Sequence, residues 1–230
     1  MRHLSRDFEA ELRELRGNLL AMGARCERAV SEAVSAFLER DVARASEAHG
    51  LDARIDRDEV EIDALALRIL ALRQPVADDL RFITTALKFV TDLERIGDEA
   101  KNIAERVPAL SVARALPPHP EITAMSDKAL WMLRESLDAF VARDAARAEA
   151  VLQCDAEVDA LYGALLQQLF GWMRDHPEAI PVAQSVVSVA RYLERVGDHA
   201  TNLAEHVVFM VRGDVVRHRL STRPGPFGEP

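Results

Sequence analysis

Aromatic residues supply only 5% of the chain, and cysteine occurs twice, as Cys26 and Cys154. Neither cysteine lies at metal-ligand spacing from a second Cys or His. That excludes a Cys/His metal scaffold and points to reduced thiols in a cytoplasmic protein. No apolar run approaches the roughly 20 residues that cross a bilayer. The opening stretch "MRHLSRDFEAELRELRGN" is charged throughout, unlike a secretory signal. Lys and Arg number 29 against 38 Asp and Glu, a net charge of -9. A nucleic-acid partner is therefore not expected, whereas cations or a basic partner suit such a surface. A Gly-rich phosphate loop, a nucleophile elbow and a sustained strand-like alternation are also missing.

What remains is rich in Ala, Leu, Arg and Glu, with apolar residues recurring at three- and four-residue spacing almost everywhere. That pattern belongs to an all-α protein with aliphatic cores. Breaks fall at Gln74-Pro75, at His176-Pro177 with Pro181, and most densely in "VPALSVARALPPHPE" over 107–121.

The two sides of that last break resemble each other. "DLERIGDEAKNIAE" over 92–105 is answered by "YLERVGDHATNLAE" over 192–205, with nine of fourteen positions identical. "AFLERDVARASEA" over 36–48 is answered by "AFVARDAARAEAV" over 139–151, and "LDARID" over 51–56 by "CDAEVD" over 154–159. The offset is 100 for the first pair and 103 for the others, a difference assigned to the intervening proline turn. A duplication of this length predicts two tandem, similar three-helix bundles, not a solenoid. The expected divisions are 1–108, a Pro-rich linker over 109–120, 121–218, and a disordered tail over 219–230.

The repeated motif contains two features unfavourable to a helix, a four-spaced acidic pair and an internal glycine. Leu93, Ile96, Ala100, Ile103 and Val107 form a packing seam, matched by Leu193, Val196, Ala200, Leu203 and Val207. Glu94, Asp98 and Glu105, and likewise Glu194, Asp198 and Glu205, fall on another stripe, placing the acids off the core on the outer side of each bundle. The preceding helix carries Asp52 and Asp56 in one copy and Asp155 and Asp159 in the other. Folding each hairpin at its proline brings these aspartates level with Glu94–Asp98 and Glu194–Asp198. Four carboxylates on adjacent helices make an oxygen-rich cation site. Gly97 and Gly197 give room for an ion or for a neighbouring helix. The competing reading is a solvated acidic face whose Arg95 and Arg195 satisfy the nearby carboxylates.

Glu59 and Asp63 continue the Asp52–Asp56 stripe, and either extend the first cluster or are solvated. Asn102 and Asn202, one turn beyond the aspartates, are candidates to orient them. His199 stands where the first copy has Glu99 and reads as a lone surface histidine. "QPVADDLR" over 74–81 reads as a helix break with an acidic N-terminus. Trp131, Trp172 and the phenylalanines are assigned to the core.

Together "RQPVADDLR" (73–81), "LERIGDEAKNIAE" (93–105), "LERVGDHATNLAEHV" (193–207) and "VRGDVVRH" (211–218) resemble the PhoU family of bacterial phosphate regulators. The resemblance covers nearly all of residues 5–218. It implies two similar three-helix bundles that bind clustered metal ions at Asp52, Asp56, Glu94 and Asp98, and at Asp155, Asp159, Glu194 and Asp198. Iron or zinc stand ahead of manganese or magnesium as the metal. It further implies no catalysis, homodimers, and an adaptor at the inner face of the membrane. Such an adaptor links a phosphate ABC transporter ATPase subunit to a membrane sensor histidine kinase and represses the phosphate-starvation response. The main alternative from the residues alone is an all-α metal-dependent phosphohydrolase, with Arg95 and Arg195 as its only evident phosphate-binding groups. A di-iron oxidase lacks its Glu-X-X-His pairs. A plain scaffold with acidic docking faces is the third reading.

Overall fold

The computed structural model describes residues 2–111 and 119–213. The linker residues 112–118 and the tail over 219–230 lie outside the described residues. Helices α1 (Arg2–Glu39), α2 (Val42–Arg73) and α3 (Ala77–Ala104) form the first bundle. Helix α4 (Val107–Ser111) follows, and α5 (Pro120–Ala142), α6 (Ala145–Asp175) and α7 (Ile180–Arg212) form the second. The chain is thus two tandem three-helix bundles, as the duplication predicts. No described helix is long and apolar enough to cross a membrane.

The duplicated sequence builds the same hairpin twice. Helix α1 ends with Arg40 in the left-handed region (φ 57°), and the Asp41 N–H returns to the Ala36 carbonyl at 2.9 Å. Asp41 then caps α2, its Oδ1 accepting from the N–H groups of Ala43 and Arg44 at 2.9 and 3.1 Å. Arg143 (φ 51°) and Asp144 repeat the turn before α6, with the same two capping distances to Ala146 and Arg147. Arg44 pairs with Glu32, and Arg147 with Glu135, so the conserved letters of the repeat brace each hairpin identically.

The proline hairpins differ at the turn, as the sequence suggests. Three residues, 74–76, separate α2 from α3, whereas His176 alone separates α6 from a short 3-10 helix (Pro177–Ala179) that leads into α7. Counted from Pro177, the chain reaches Glu194 after the same 17 residues that separate Ala77 from Glu94, so the offset change is absorbed around the connection.

One hydrophobic cluster runs through both halves. Leu15, Leu19, Met22 and Val30 of α1, and Ile83, Val90 and Leu93 of α3, are fully buried. Phe140 of α5 packs between Phe82 and Phe89 of α3, with ring centroids 5.5 and 4.6 Å away. Helix α1 crosses α5 where a Cβ on Gly23 would come within 2.6 Å of Leu137 Cδ1, so any larger residue there would make Leu137 shift. Leu110 of α4 is 2% exposed, so the start of the expected linker is held against the core. Two aromatics assigned to the core are outside it: Trp131 is 41% and Phe170 60% exposed. The neighbours Leu130, Met132 and Leu133 already supply the buried arc of α5, and Trp131 falls on the solvent side of that arc.

Candidate functional site

Helices α2 and α3 pack antiparallel. Asp52 meets Lys101, and Ile55 lies against Gly97, where an added Cβ would sit 3.0 Å from Ile55 Cδ1 and Cγ2. That register sets Asp56 level with Asp98, and Glu59 level with Glu94. The glycine therefore serves the neighbouring helix. Gly197 is looser, its nearest atom being Val158 Cγ1 at 3.6 Å.

The carboxylates straddle the α2–α3 seam: Asp52 and Glu94 turn into it, while Asp56 stays exposed on the outer side, as Asp198 does in the second repeat. Asp52 is 7% exposed and Glu94 half-buried. The reason is that α2 packs over α3 at the glycine, covering the stripe beside the apolar one. Burial, then the neighbouring Asp98 charge, raise the Glu94 carboxyl above its ordinary value, with Glu59 and Asp56 adding to this. Glu59 is raised by burial and then by Asp63 and Asp56, and Asp63 by burial. Glu59 is thus an electrostatic neighbour of the first cluster. The Asp63 Oδ1 atom is buried without a hydrogen-bond partner. Two cations enter this seam. Lys101 Nζ donates to Asp52 Oδ2 at 2.6 Å, and Arg95 lies 3.4 Å from Glu94 and 3.2 Å from Asp98.

The α6–α7 seam repeats the arrangement with fewer cations. Burial, then Asp198, raise Glu194, and Asp159 and Asp155 contribute. Burial, then Asp155 and Asp159, raise Asp198. Arg191 lies 3.2 Å from Glu194 Oε1, while Glu194 Oε2 is buried without a partner. Thr201, at the position of Lys101, donates to Asp155 Oδ1 at 3.3 Å. Among the described residues, no three His, Cys, Asp or Glu side chains converge tightly enough to hold a metal ion as they stand. The seam acids turn instead to Lys101, Arg95 and Arg191.

A second polar assembly joins the halves, and sequence reasoning missed it. Asp92 meets His199 and His206, whereas Glu99 meets Arg195, so α3 and α7 run antiparallel. Asp92 Oδ1 lies 2.9 Å from His199 Nδ1 and accepts from Asn202 Nδ2 at 3.1 Å, while Oδ2 lies 3.3 Å from His206 Nε2. Burial pushes the Asp92 carboxyl up, but the bonds from His199, His206 and Asn202 outweigh it and hold it at about 2. Glu99, whose side chain is 2% exposed, lies 3.0 Å from Arg195 Nη1 and accepts from Asn102 at 3.3 Å.

Several expectations change accordingly. His199 is not a lone surface residue, because α3 covers it. Arg195 leaves its own cluster for Glu99, while Arg95 stays with its own carboxylates. Asn102 and Asn202 orient Glu99 and Asp92, not the seam aspartates. Glu105 follows the end of α3 and is exposed, 3.7 Å from His49, whereas Glu205 remains inside α7. The signal for this interface was present where the copies disagree: Asp92 against Tyr192, Glu99 against His199, and Arg106 against His206. Antiparallel packing of two identical faces would set like groups near one another, and those differences make the faces complementary.

The PhoU domain model matches residues 19–107 and 122–207, which are the two bundles. The chain belongs to the PhoU family. Over 217 residues, 94% of this chain and 85% of the relative, it is 43% identical to the phosphate-specific transport system accessory protein PhoU homologue of Pseudomonas putida. The homologue of the same name from Pseudomonas aeruginosa is 42% identical over 96% of this chain and 92% of its own. The crystal structure of PhoU from Pseudomonas aeruginosa superposes with a TM-score of 0.87 at 41% identity, covering 90% of this chain and all of that one. PhoU from Streptococcus pneumoniae, a phosphate transport system regulatory protein, superposes with a TM-score of 0.85 at 31% identity, covering 91% and 99%. The duplicated bundle is therefore the PhoU architecture.

Proposed function

We propose that this chain is a non-enzymatic accessory protein of a phosphate-specific transport system, carrying divalent or clustered metal ions at its two carboxylate seams. The observation that carries this is a carboxylate seam on both repeats of a chain matched over 94–96% of its length by proteins named for that system. In this reading it works at the inner face of the membrane, as a homodimer. It links the transporter's ATPase subunit to a sensor histidine kinase and restrains the phosphate-starvation response.

The donor type suits a metal, although the side chains would have to draw together to hold one. The donors are all carboxylate oxygens, which accept iron, zinc, manganese or magnesium. The orphaned Asp63 Oδ1 and Glu194 Oε2 are buried acceptors that lack a hydrogen-bond donor. Asp52, Asp56, Glu94 and Asp98 would hold ions in one seam, and Asp155, Asp159, Glu194 and Asp198 in the other. A bound ion would supply positive charge that ties the two helices of a hairpin together. The carboxyls of Glu94, Glu194 and Asp198 are raised first by burial and then by their acidic neighbours, and such charge would oppose both.

The phosphohydrolase alternative is less favoured, since Arg95 pairs with Glu94 and Asp98, and Arg195 with Glu99. The reading is tested by deleting the gene in its host and following a phosphate-starvation reporter in phosphate-replete medium, beside binding of the purified chain to the ATPase subunit and to the kinase. Reporter induction and binding to at least one partner are expected. A silent reporter with neither partner bound would overturn the adaptor reading. Turnover of phosphoesters, abolished by Asp98→Ala and Asp198→Ala, would replace it with the enzymatic one.

A further inference from the structure

The face between α5 and α6 carries a groove of about 410 Å³, away from both carboxylate seams. Asp127, Lys128 and Trp131 of α5 line it, with Gln153, Cys154 and Glu157 of α6. Trp131 is 41% exposed there, although the buried arc of α5 is complete without it. Lys128 and Glu157 pair across the groove and neutralise each other, whereas Asp127, one turn before Trp131, has no ion-pair partner among the described residues. Farther along the same face Glu135 and Asp138 share one cation, Arg147. An exposed indole thus stands in a surplus of negative charge.

The first repeat shows what the fold itself requires at these positions. At the offset of 103, Asp127, Trp131 and Glu157 answer to Ala24, Arg28 and Arg54, all exposed. The same bundle is therefore built with a methyl group and two cations, so packing demands neither the indole nor the two carboxylates. A large aromatic left in solvent beside an unpaired acid suits recognition.

We propose that the α5–α6 groove is a docking site for a basic segment of a partner protein, with an arginine of that segment stacked on Trp131 and donating to Asp127. A guanidinium is planar and weakly hydrated, so it lies on an indole face while its N–H groups reach a carboxylate in its own plane. An acid and an indole four apart on one helix stand about 5–6 Å from each other at Cβ, within the span of one guanidinium. The surplus charge draws in a basic segment and repels an acidic one. A second copy of this chain, at -9 overall, is the poorer fit. No seam carboxylate lines the groove, so the proposal stands or falls apart from the metal-binding reading.

The test titrates the isotope-labelled full chain with the peptide acetyl-Gly-Arg-Ala-Arg-Gly-amide, and separately with its Glu counterpart, and follows the indole N–H resonances of Trp131 and Trp172. Trp131→Tyr identifies which resonance is which. The arginine peptide should move the Trp131 resonance and leave that of Trp172, and the glutamate peptide should move neither. Trp131→Arg, which copies the first repeat, should weaken binding of the arginine peptide about five- to thirtyfold, while Trp131→Tyr stays within about threefold. Asp127→Asn should weaken it about two- to fivefold and flatten its dependence on salt. Circular dichroism checks the fold, and Trp131→Ala replaces Trp131→Arg if that variant is disturbed. A Trp131 resonance that ignores the arginine peptide, or moves equally with the glutamate peptide, overturns the proposal. Binding unaffected by Trp131→Arg does the same. Self-association in sedimentation that Trp131→Arg abolishes, with no response to the peptide, would overturn it in favour of a contact between copies.

Discussion

Arg195 of α7 lies 3.0 Å from Glu99 of α3, joining the two repeats through a carboxylate that is almost wholly buried. Each residue is a neighbour of a seam acid, Glu99 of Asp98 and Arg195 of Glu194. The contact between the halves is thus built from the same helical turns that carry the candidate metal ligands.

Arg195→Ala leaves Glu99 buried with only Asn102 to donate to it. A buried acceptor stripped of its charged partner costs about 1–3 kcal/mol. Urea denaturation should show that loss, and Glu99→Gln, which removes the buried charge as well, should cost less.

Asp92 gives the interface an acid limit. Its folded value of about 2 lies below the ordinary 3.8, so its contribution is complete above the higher value and is lost as pH falls through the lower. Asp92→Asn is expected to lose about 2 kcal/mol at pH 7. The variant should also flatten the stability profile between those two values. A profile unchanged from the parent would show that the histidines do not hold the carboxylate ionised.

The seam carboxylates act with the opposite sign. Glu94, Glu194 and Asp198 are raised, so the folded chain binds their protons more tightly than the unfolded one. Without metal, stability should therefore rise as pH falls from neutral through the raised values, levelling near the ordinary 3.8–4.5. Denaturation of chelator-treated protein should show this slope, and Glu194→Gln with Asp198→Asn should reduce it.

The two motif glycines should respond differently to alanine. At Gly197 the new methyl makes ordinary contact with Val158 at 3.6 Å, so the helix-propensity gain of up to about 1 kcal/mol is expected to appear as stabilisation. At Gly97 it would sit 3.0 Å from two Ile55 carbons, and Ile55 must move. Gly97→Ala should lose that gain or reverse it, and Ile55→Val with Gly97→Ala should restore part of it by copying the Val158 pairing. Thermal melts of the three variants decide the sign.

The hairpin caps should behave as a matched pair. Asp41→Ala and Asp144→Ala each remove a carboxylate that accepts from two backbone N–H groups. Each is expected to cost about 1 kcal/mol, and the double variant about the sum, since the turns lie in separate hairpins.

The fold was legible because helical periodicity and proline breaks are local signals, and the duplication repeats them. The hairpin alone set Asp52–Asp56 opposite Glu94–Asp98; the packing shifts that register by about a turn, so Asp52 meets Lys101 and Asp56 comes level with Asp98. The Asp92–His199–His206 assembly could not be read from the sequence. Its partners are more than a hundred residues apart, and nothing in their spacing says that α3 and α7 meet. Nor does spacing say which lysine side chain turns to which aspartate, so Asp52 looked like the equal of Asp155 until Lys101 was seen upon it.

By itself the sequence determined the six long helices, their two proline hairpins, and the approach of one acidic stripe to the next. Those follow from backbone propensity and short connections, which act within a hairpin. Only the tertiary structure decided that Asp52 is buried in its seam, that Arg195 serves Glu99, and that Lys101 faces Asp52. Which cation reaches which carboxylate depends on helix packing across the whole molecule, and a charge is free to choose its partner only after that packing is set.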